Sequence, residues 1–213
     1  EFSYCLNIGG IANISARSAD KYVSFDICPA NRVLNLLAAK AGKVYDDGGA
    51  IAASGNVNPA LLATLNNFPF YGEQYPKSLS NDFGVGVIYP LILQEESRTE
   101  NALRTYTEHI ALQVTAAVEQ IKKNISPETE PATMLVTGGG AFNTFLIQSI
   151  REQVKQHNIE LLVPDEKIIQ YKEALVMALI GVLRWREENN VMSSVTGAMR
   201  NSVGGAIWMG QEA

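Results

Sequence analysis

Two glycine runs stand where apolar, strand-like segments end: Leu6-Asn7-Ile8-Gly9-Gly10-Ile11-Ala12-Asn13 and Met134-Leu135-Val136-Thr137-Gly138-Gly139-Gly140-Ala141-Phe142-Asn143. Glycine lacks the Cβ that keeps a phosphate or a flat ring away from the main chain, and it tolerates positive φ. Successive glycine amides also form a concave nest of donors for an anion. Gly9 and Gly10, flanked by the carboxamides of Asn7 and Asn13, are therefore candidate phosphate contacts. The alternative is a plain Gly-Gly hairpin between two strands. Gly138, Gly139 and Gly140 precede a helix, so backbone and helix N–H groups can face one anionic ligand, with Asn143 beside them. A purely conformational turn is the alternative there. Neither run is G-x-x-x-x-G-K-[ST] or G-x-G-x-x-G, which excludes the P-loop and dinucleotide fingerprints.

Carboxylates come next. In Phe25-Asp26-Ile27-Cys28-Pro29-Ala30-Asn31 a strand end meets a helix start, and Asp26 is placed to bind a metal-held water, orient a substrate hydroxyl or cap a turn. Tyr45-Asp46-Asp47-Gly48-Gly49 pairs two carboxylates that a solvated turn would also explain. Glu173, early in an apolar helix, suits the helix dipole and also a neighbouring cleft. His109 and His157 lie on expected helices without Cys or His neighbours, which reads as packing or solvent contact and leaves any metal preference unknown. Cys5 and Cys28 are expected to be reduced core residues of a cytosolic protein.

These residues must be positioned by a framework. Strands are expected at 4–9, 11–17 and 22–26, with a turn at Ser18-Ala19-Asp20-Lys21. Asn31 is the expected N-cap of a helix over 31–41, with Val33, Leu34, Leu37 and Ala41 at helical spacing and Gly42 as its stop. A short helix follows at 49–54. Residues 66–86 mix Pro69, Pro76, Gly72, Gly84 and Gly86 with Phe68, Phe70, Tyr71, Tyr75 and Phe83, and read as a long ordered loop. Ser97-Arg98-Thr99-Glu100 has the form of a capping box. It opens a helix to about Lys123, with Leu103, Tyr106, Ile110, Val114, Val118 and Ile121 in one stripe, and Pro127 and Pro131 end that region. A strand at 133–137, a helix at 144–156, a strand at 160–163 and a helix at 172–187 complete the order. This is α/β: a mixed sheet with helices packed on it, whose ligands bind beyond the strand ends where both glycine runs fall.

A chain of 213 residues can bury a core. A net charge of −5 with no Lys/Arg-rich run argues against a nucleic-acid partner, so anions must be held by local amides and single cations. No apolar stretch reaches the roughly 20 residues of a membrane span, no signal peptide is visible, and a cytoplasmic location is expected. The opening Glu1-Phe2-Ser3-Tyr4 runs straight into a strand, so the chain is expected to be a domain of something longer.

In order along the chain, Cys5 to Ile14, Phe25-Asp26 with Pro29-Ala30-Asn31, Asp47-Gly48 with Gly49-Ala50 and Ala53-Ser54-Gly55, Pro76-Lys77-Ser78, Gly138-Gly139-Gly140-Ala141-x-Asn143, Glu173-Ala174 and Ser194-Val195-Thr196-Gly197-Ala198 resemble the anhydro-N-acetylmuramic acid kinase family. Ile27-Cys28 departs from the threonine-glycine found in many members. The resemblance implies an actin-like (ribonuclease H-like) ATPase domain, the second half of a two-domain kinase, with 1–213 as the C-terminal nucleotide- and sugar-binding domain and 66–86 as an insertion. It implies ATP and Mg²⁺, and hydrolytic opening of 1,6-anhydro-N-acetylmuramic acid with phosphorylation to N-acetylmuramic acid 6-phosphate in peptidoglycan recycling. By the same resemblance Asn7, Gly9, Gly10 and Asn13 face phosphates, while Gly138, Gly139, Gly140 and Asn143 face the adenosine. Asp26, Asn31 and Glu173 lie toward the sugar or the Mg²⁺ shell, Asp26 and Glu173 in support of catalysis. The first phosphate loop and the water-activating base are expected upstream, in a missing N-terminal domain, so the chain alone is expected to be inactive. A homodimer is compatible with the resemblance. Another actin-like sugar or carboxylate kinase, or a non-catalytic nucleotide-binding module, are the competing readings.

Overall fold

The computed structural model describes residues 2–18, 21–123, 131–208 and 210. Three strands, β1 (Tyr4–Ile8), β2 (Ile11–Ser18) and β3 (Lys21–Pro29), form an antiparallel meander, while β4 (Ala132–Thr137) and β5 (Ile159–Leu162) add in parallel on the other side of β1. The spatial order is β3-β2-β1-β4-β5, one mixed five-stranded sheet, as the α/β reading expects. The expected turn residues Ala19 and Asp20, and Pro127, lie outside the described residues.

Strand alternation sorts the sheet into two faces. Tyr4, Leu6 and Ile8 lie opposite Ala16, Ile14 and Ala12 on β2, and Met134 and Val136 lie opposite Tyr4 and Leu6 on β4. All of these are buried in one core, together with the inner faces of α1 (Asn31–Lys40), α6 (Thr99–Lys122) and α7 (Thr144–Lys155). The six-residue stripe expected on α6 is wholly buried. The reverse face carries Cys5, Asn7, Asn13, Ser15 and Thr137, and beside it runs α8 (Glu166–Trp185).

Several local expectations are corrected. Asn31 is the first residue of α1 and not its N-cap; its side chain donates to the Ile8 carbonyl at 3.1 Å instead of capping. Ala38, not Ala41, completes the buried face of α1. No capping box forms at Ser97, because α6 begins at Thr99 and Glu100 is engaged by Arg98 at 2.6 Å. Residues 66–86 are not one loop. They contain α4 (Pro69–Gly72) and most of a π-helical turn (Phe83–Ile88). This turn runs into α5 (Tyr89–Glu95), while α3 (Pro59–Asn66) precedes the segment. The start of α3 was legible in Asn58-Pro59, since the Asn58 side chain accepts from the Ala60 and Leu61 amides, each at 3.1 Å. Likewise α8 starts at Glu166, ahead of the expected Lys172, because Asp165 caps it through the Ile168 amide at 3.0 Å. Cys5 is exposed, because its strand position faces away from the core, while Cys28 is buried; both are free thiols.

The aromatic segment is held to α6 by a buried polar cluster. His109, with no exposed surface, meets Asn66 Oδ1 through Nδ1 at 2.7 Å and the Tyr71 hydroxyl through Nε2 at 3.1 Å. Gln113 donates to the same Asn66 oxygen at 2.8 Å. An accepting Asn66 oxygen puts the His109 proton on Nδ1, so Tyr71 donates to Nε2 and the ring is neutral. Burial pushes the His109 pKa down to about 3. Below the ordinary histidine value of about 6.5 the unfolded chain therefore takes up a proton that the folded chain refuses, and stability falls with acidification between those two values. The slope from this group approaches about 1.4 kcal/mol per pH unit. Urea unfolding of the parent and of His109→Gln should therefore show the variant's deficit at pH 7 shrinking steadily below pH ~6. A deficit that stays constant down to pH ~4 would refute the buried neutral imidazole.

Candidate functional site

Strands β1 and β4 are parallel neighbours, so both glycine runs leave the sheet at the same edge. Gly138 follows β4 with φ of 84°, a conformation that favours glycine, and a Cβ there would stand 2.6 Å from the Ile8 carbonyl oxygen and 2.8 Å from Asn7 Oδ1. Gly140 is pressed onto the Ile8 side chain so closely that no Cβ fits. The first run is tied down from the other side. The Asn31 and Ala30 amides donate to the Gly9 and Gly10 carbonyls at 3.0 and 2.8 Å. The Gly9 amide itself donates to Ile11 at 3.2 Å, which leaves the Gly10 amide as the donor of that turn without a backbone partner among the described residues.

A cavity of about 350 Å³ opens beyond Gly139 and Gly140. Asn31, Asn35, Asn143 and the Asp46-Asp47-Gly48 turn line it, Leu34 contributes an apolar wall, and Tyr45 and Phe142 stand at it half-exposed. Its two aspartates have different fates. Asp46 is buried and accepts from the Ile51 and Ala52 amides at 2.8 and 2.9 Å, starting α2 (Ala50–Ser54). Asp47 is exposed at the cavity. Asn143 likewise uses Oδ1 to cap α7 through the Leu146 amide at 3.0 Å, and Thr144 ties the Asp46–Gly48 turn to α7 by donating to the Gly48 carbonyl at 3.0 Å. A flat ligand fits this chemistry: apolar and aromatic walls with bare backbone at the base.

The second group lies on the reverse face of the sheet. Between Ala12 and Asn13 the β2–β3 register slips, so that Ala12 faces Cys28 but Asn13 faces Asp26, with Ile27 as the extra residue of a bulge. The bulge sets Asp26 beside Asn13. Asn13 in turn pairs with Asn7, and Asn7 with Thr137, giving one polar row across four strands. From α8, the Lys172 ammonium bonds both Asn7 Oδ1 and Thr137 Oγ1, the latter at 3.1 Å. Partial burial lowers the Lys172 pKa, and neighbouring Glu173 works against that shift. A cavity of about 440 Å³ runs between this row and α8, lined also by Glu173, Val176 and Met177.

Asp26 is anchored at the sheet edge, its own amide donating to the Lys77 carbonyl at 3.1 Å and its Oδ2 accepting from the Leu79 amide at 2.8 Å. Two motifs far apart in the chain meet nearby, since a Cβ on Gly197, beside the short helix α9 (Ser193–Thr196), would lie 3.5 Å from Pro76. Burial raises the pKa of both thiols, so neither Cys5 nor Cys28 is an activated nucleophile.

Most of the singled-out residues thus fall into two groups on either side of Gly138, while Gly9 and Gly10 line neither of these two cavities. Gly139, Gly140, Asn31 and Asn143 line one cavity; Asn7, Asn13 and Glu173 line the other, with Asp26 continuing its row. Sequence reasoning missed Thr137 and Lys172. The parallel register that sets Thr137 beside Asn7 carries no local signal, and Lys172 earns its role only through contacts 165 and 35 residues away.

The model of the anhydro-N-acetylmuramic acid kinase family matches residues 1–210. An anhydro-N-acetylmuramic acid kinase of Saccharophagus degradans is 30% identical over 95% of this chain and 54% of its own length. One of Haemophilus influenzae is 30% identical over 95% of this chain and 56% of its own. The chain therefore spans about half the length of the relatives it matches. Among solved structures, the activator of the 2-hydroxyisocaproyl-CoA dehydratase from Clostridium difficile, with bound ADPNP, aligns at 16% identity over 78% of this chain and 55% of that one, with a TM-score of 0.45. The family match extends over every residue that lines the two cavities, and the chain belongs to the anhydro-N-acetylmuramic acid kinase family.

Proposed function

We propose that this chain is the C-terminal, nucleotide- and sugar-binding half of a cytoplasmic ATP-dependent kinase that opens 1,6-anhydro-N-acetylmuramic acid with water and phosphorylates it to N-acetylmuramic acid 6-phosphate. The observation that carries the reading is the turn at Gly138, flanked at the ends of two adjacent strands by an aromatic-edged cavity that begins at Gly139 and a polar, lysine-bearing cavity that includes Thr137. A nucleotide lying across that turn has its base at Tyr45 and Phe142, its ribose near Asn143 and Asn31, which shares that cavity and so falls on the nucleotide side instead of the expected acceptor side, and its phosphates passing Gly138 and the Gly10 amide. Asn7 and Asn13 then face the phosphates, and the Lys172 ammonium offsets their charge.

Water adds at the anomeric carbon as the anhydro bridge opens, and the freed O6 takes the γ-phosphoryl group, releasing ADP. Asp26, with one oxygen held by the Leu79 amide, and Glu173 orient the acceptor sugar or the metal-bound water. Among the described residues no three His, Cys, Asp or Glu side chains cluster to hold a metal ion. That suits Mg²⁺, which is bound largely through substrate phosphates and waters with one or two carboxylates, and the ion would neutralise charge on the transferred group. Among the described residues no helix is long and apolar enough to cross a membrane.

Calorimetry with MgATP tests the nucleotide site. Tyr45→Ala removes an exposed stacking face worth about 1–3 kcal/mol, so affinity for both ATP and adenosine should fall at least roughly fivefold. Lys172→Met should weaken ATP about tenfold, from the loss of a charge-assisted contact, and leave adenosine unchanged. Equal affinities across parent and both variants, all with parent-like melting, would overturn the assignment.

The acceptor side is read by ADP release with a panel of amino sugars. The chain alone should release none, because one half of a clamp cannot exclude water from the reacting phosphate. Turnover by the isolated chain at the rate of an intact relative would end the half-enzyme reading.

A further inference from the structure

The motif Pro76-Lys77-Ser78 lines neither cavity, yet the chain around it grips Asp26 twice. The Asp26 amide donates to the Lys77 carbonyl at 3.1 Å, and two residues further on the Leu79 amide donates to Asp26 Oδ2 at 2.8 Å. Residues 77–79 belong to no helix or strand, so no sheet ladder keeps that amide in place. The Lys77 side chain supplies the hold. It folds back onto α4, where Nζ donates to the Phe70 and Tyr71 carbonyls at 3.1 and 3.3 Å. Carbonyls of a helix's last turn lack partners within the helix, and lysine is a ready donor to them. The same ammonium stands 4.7 Å from the Phe70 ring centre and 5.7 Å from that of Phe25, the residue before Asp26. Helix α4 is moored in turn to α6, through the Tyr71 hydroxyl and His109. Tyr75 stacks on Phe25 with ring centres 5.3 Å apart, which keeps the segment near β3 without setting the direction of an amide.

We propose that Lys77 is a positioning residue for the Asp26 carboxylate: by pinning residues 77–79 to α4 it presents the Leu79 amide to Asp26 and fixes how the carboxylate stands at the end of the polar row. Its part in the reaction rests on the acceptor-side reading of Asp26 above; the clamp itself does not. With Oδ2 spent on Leu79, Oδ1 has no partner among the described residues and is left for the acceptor sugar or the metal-bound water. Lys77 is not itself a ligand for phosphate or sugar, because its ammonium is committed to two main-chain carbonyls and reaches neither cavity. Without that ammonium the carbonyls at the end of α4 lose a donor, residues 77–79 lose their tie, and the carboxylate turns freely.

Amide hydrogen exchange followed by NMR on this chain reads the clamp directly. In Lys77→Met the Leu79 amide should exchange at least roughly tenfold faster than in the parent, as expected for loss of a hydrogen bond to a charged group. Lys77→Arg keeps the charge, the donors and the ring contacts, so its Leu79 amide should stay within about threefold of the parent. Asp26→Ala should release the same amide by removing its acceptor. The Ile110 amide, in the buried stripe of α6, should exchange alike in all four proteins and so reports any general loosening. Titration with 1,6-anhydro-N-acetylmuramic acid, read on amide shifts, then asks whether Lys77 acts through Asp26. Lys77→Met and Asp26→Ala should each weaken the sugar at least about fivefold, and the double variant should bind no more weakly than Asp26→Ala alone. A Leu79 amide still protected in Lys77→Met, protection lost equally in Lys77→Arg, or losses that multiply in the double variant would each overturn the proposal. A parent chain that keeps the exchange pattern but binds no sugar ends the acceptor-side reading of Asp26 and leaves the clamp standing.

Discussion

The approach of Gly138 to the Ile8 carbonyl is the constraint on which the site depends. Strands β1 and β4 are joined in sequence by more than a hundred residues, yet their ends must lie close enough that the turn after β4 rests on the end of β1. A side chain at Gly138 or Gly140 would drive those ends apart. The same contact region brings in α1, whose first residue donates its backbone amide to Gly9 and its side chain to Ile8. One junction therefore fixes two glycine runs and a helix N-terminus relative to each other, and the two cavities flank it, one lined by Gly139 and Asn31, the other by Thr137 and Asn7.

The sheet's two faces divide the labour by the period of the strand. Core packing requires Tyr4, Leu6, Ile8, Ile14 and Val136 on one side, and alternation then sends Asn7, Asn13 and Thr137 to the other. Left regular, β3 would keep its own alternation out of step with Asn13. The bulge at Ile27 restores the match, buries both Ile27 and Cys28, and sets Asp26 at the end of the polar row. The departure from threonine-glycine at Ile27-Cys28 thus falls on the bulge, where two consecutive side chains enter the core.

Lys172 links this face to α8. Its ammonium, made less basic by partial burial, holds two acceptors on two strands and so ties a barely packed helix to the site. The aromatic segment is fixed differently, by a neutral buried histidine and by Lys77, whose ammonium lies 4.7 Å from the Phe70 ring centre and donates to the Phe70 carbonyl at 3.1 Å. Charged and polar groups thus help anchor both elements, the aromatic segment being held also by Tyr75 stacked on Phe25 of β3 at 5.3 Å.

The amino-acid order by itself determined the strands β1 to β5, the helices α1, α6 and α7, the α6 stripe and the two glycine runs, because periodicity and glycine chemistry act over a few residues, while the short helices between Pro59 and Glu95 escaped it. It determined the family as well, because the motifs recur in order along the whole chain. It misassigned Asn31 and Ser97 because each cap had a competitor, a distant carbonyl for one and a neighbouring arginine for the other. Only the tertiary structure decided that Asp26, Asn13, Asn7 and Thr137 form one row, that Lys172 joins it, and that Asp46 is a cap while Asp47 faces the cavity. Those outcomes rest on strand register and on contacts between residues far apart in the chain, and such contacts exist only once the sheet has closed around Gly138.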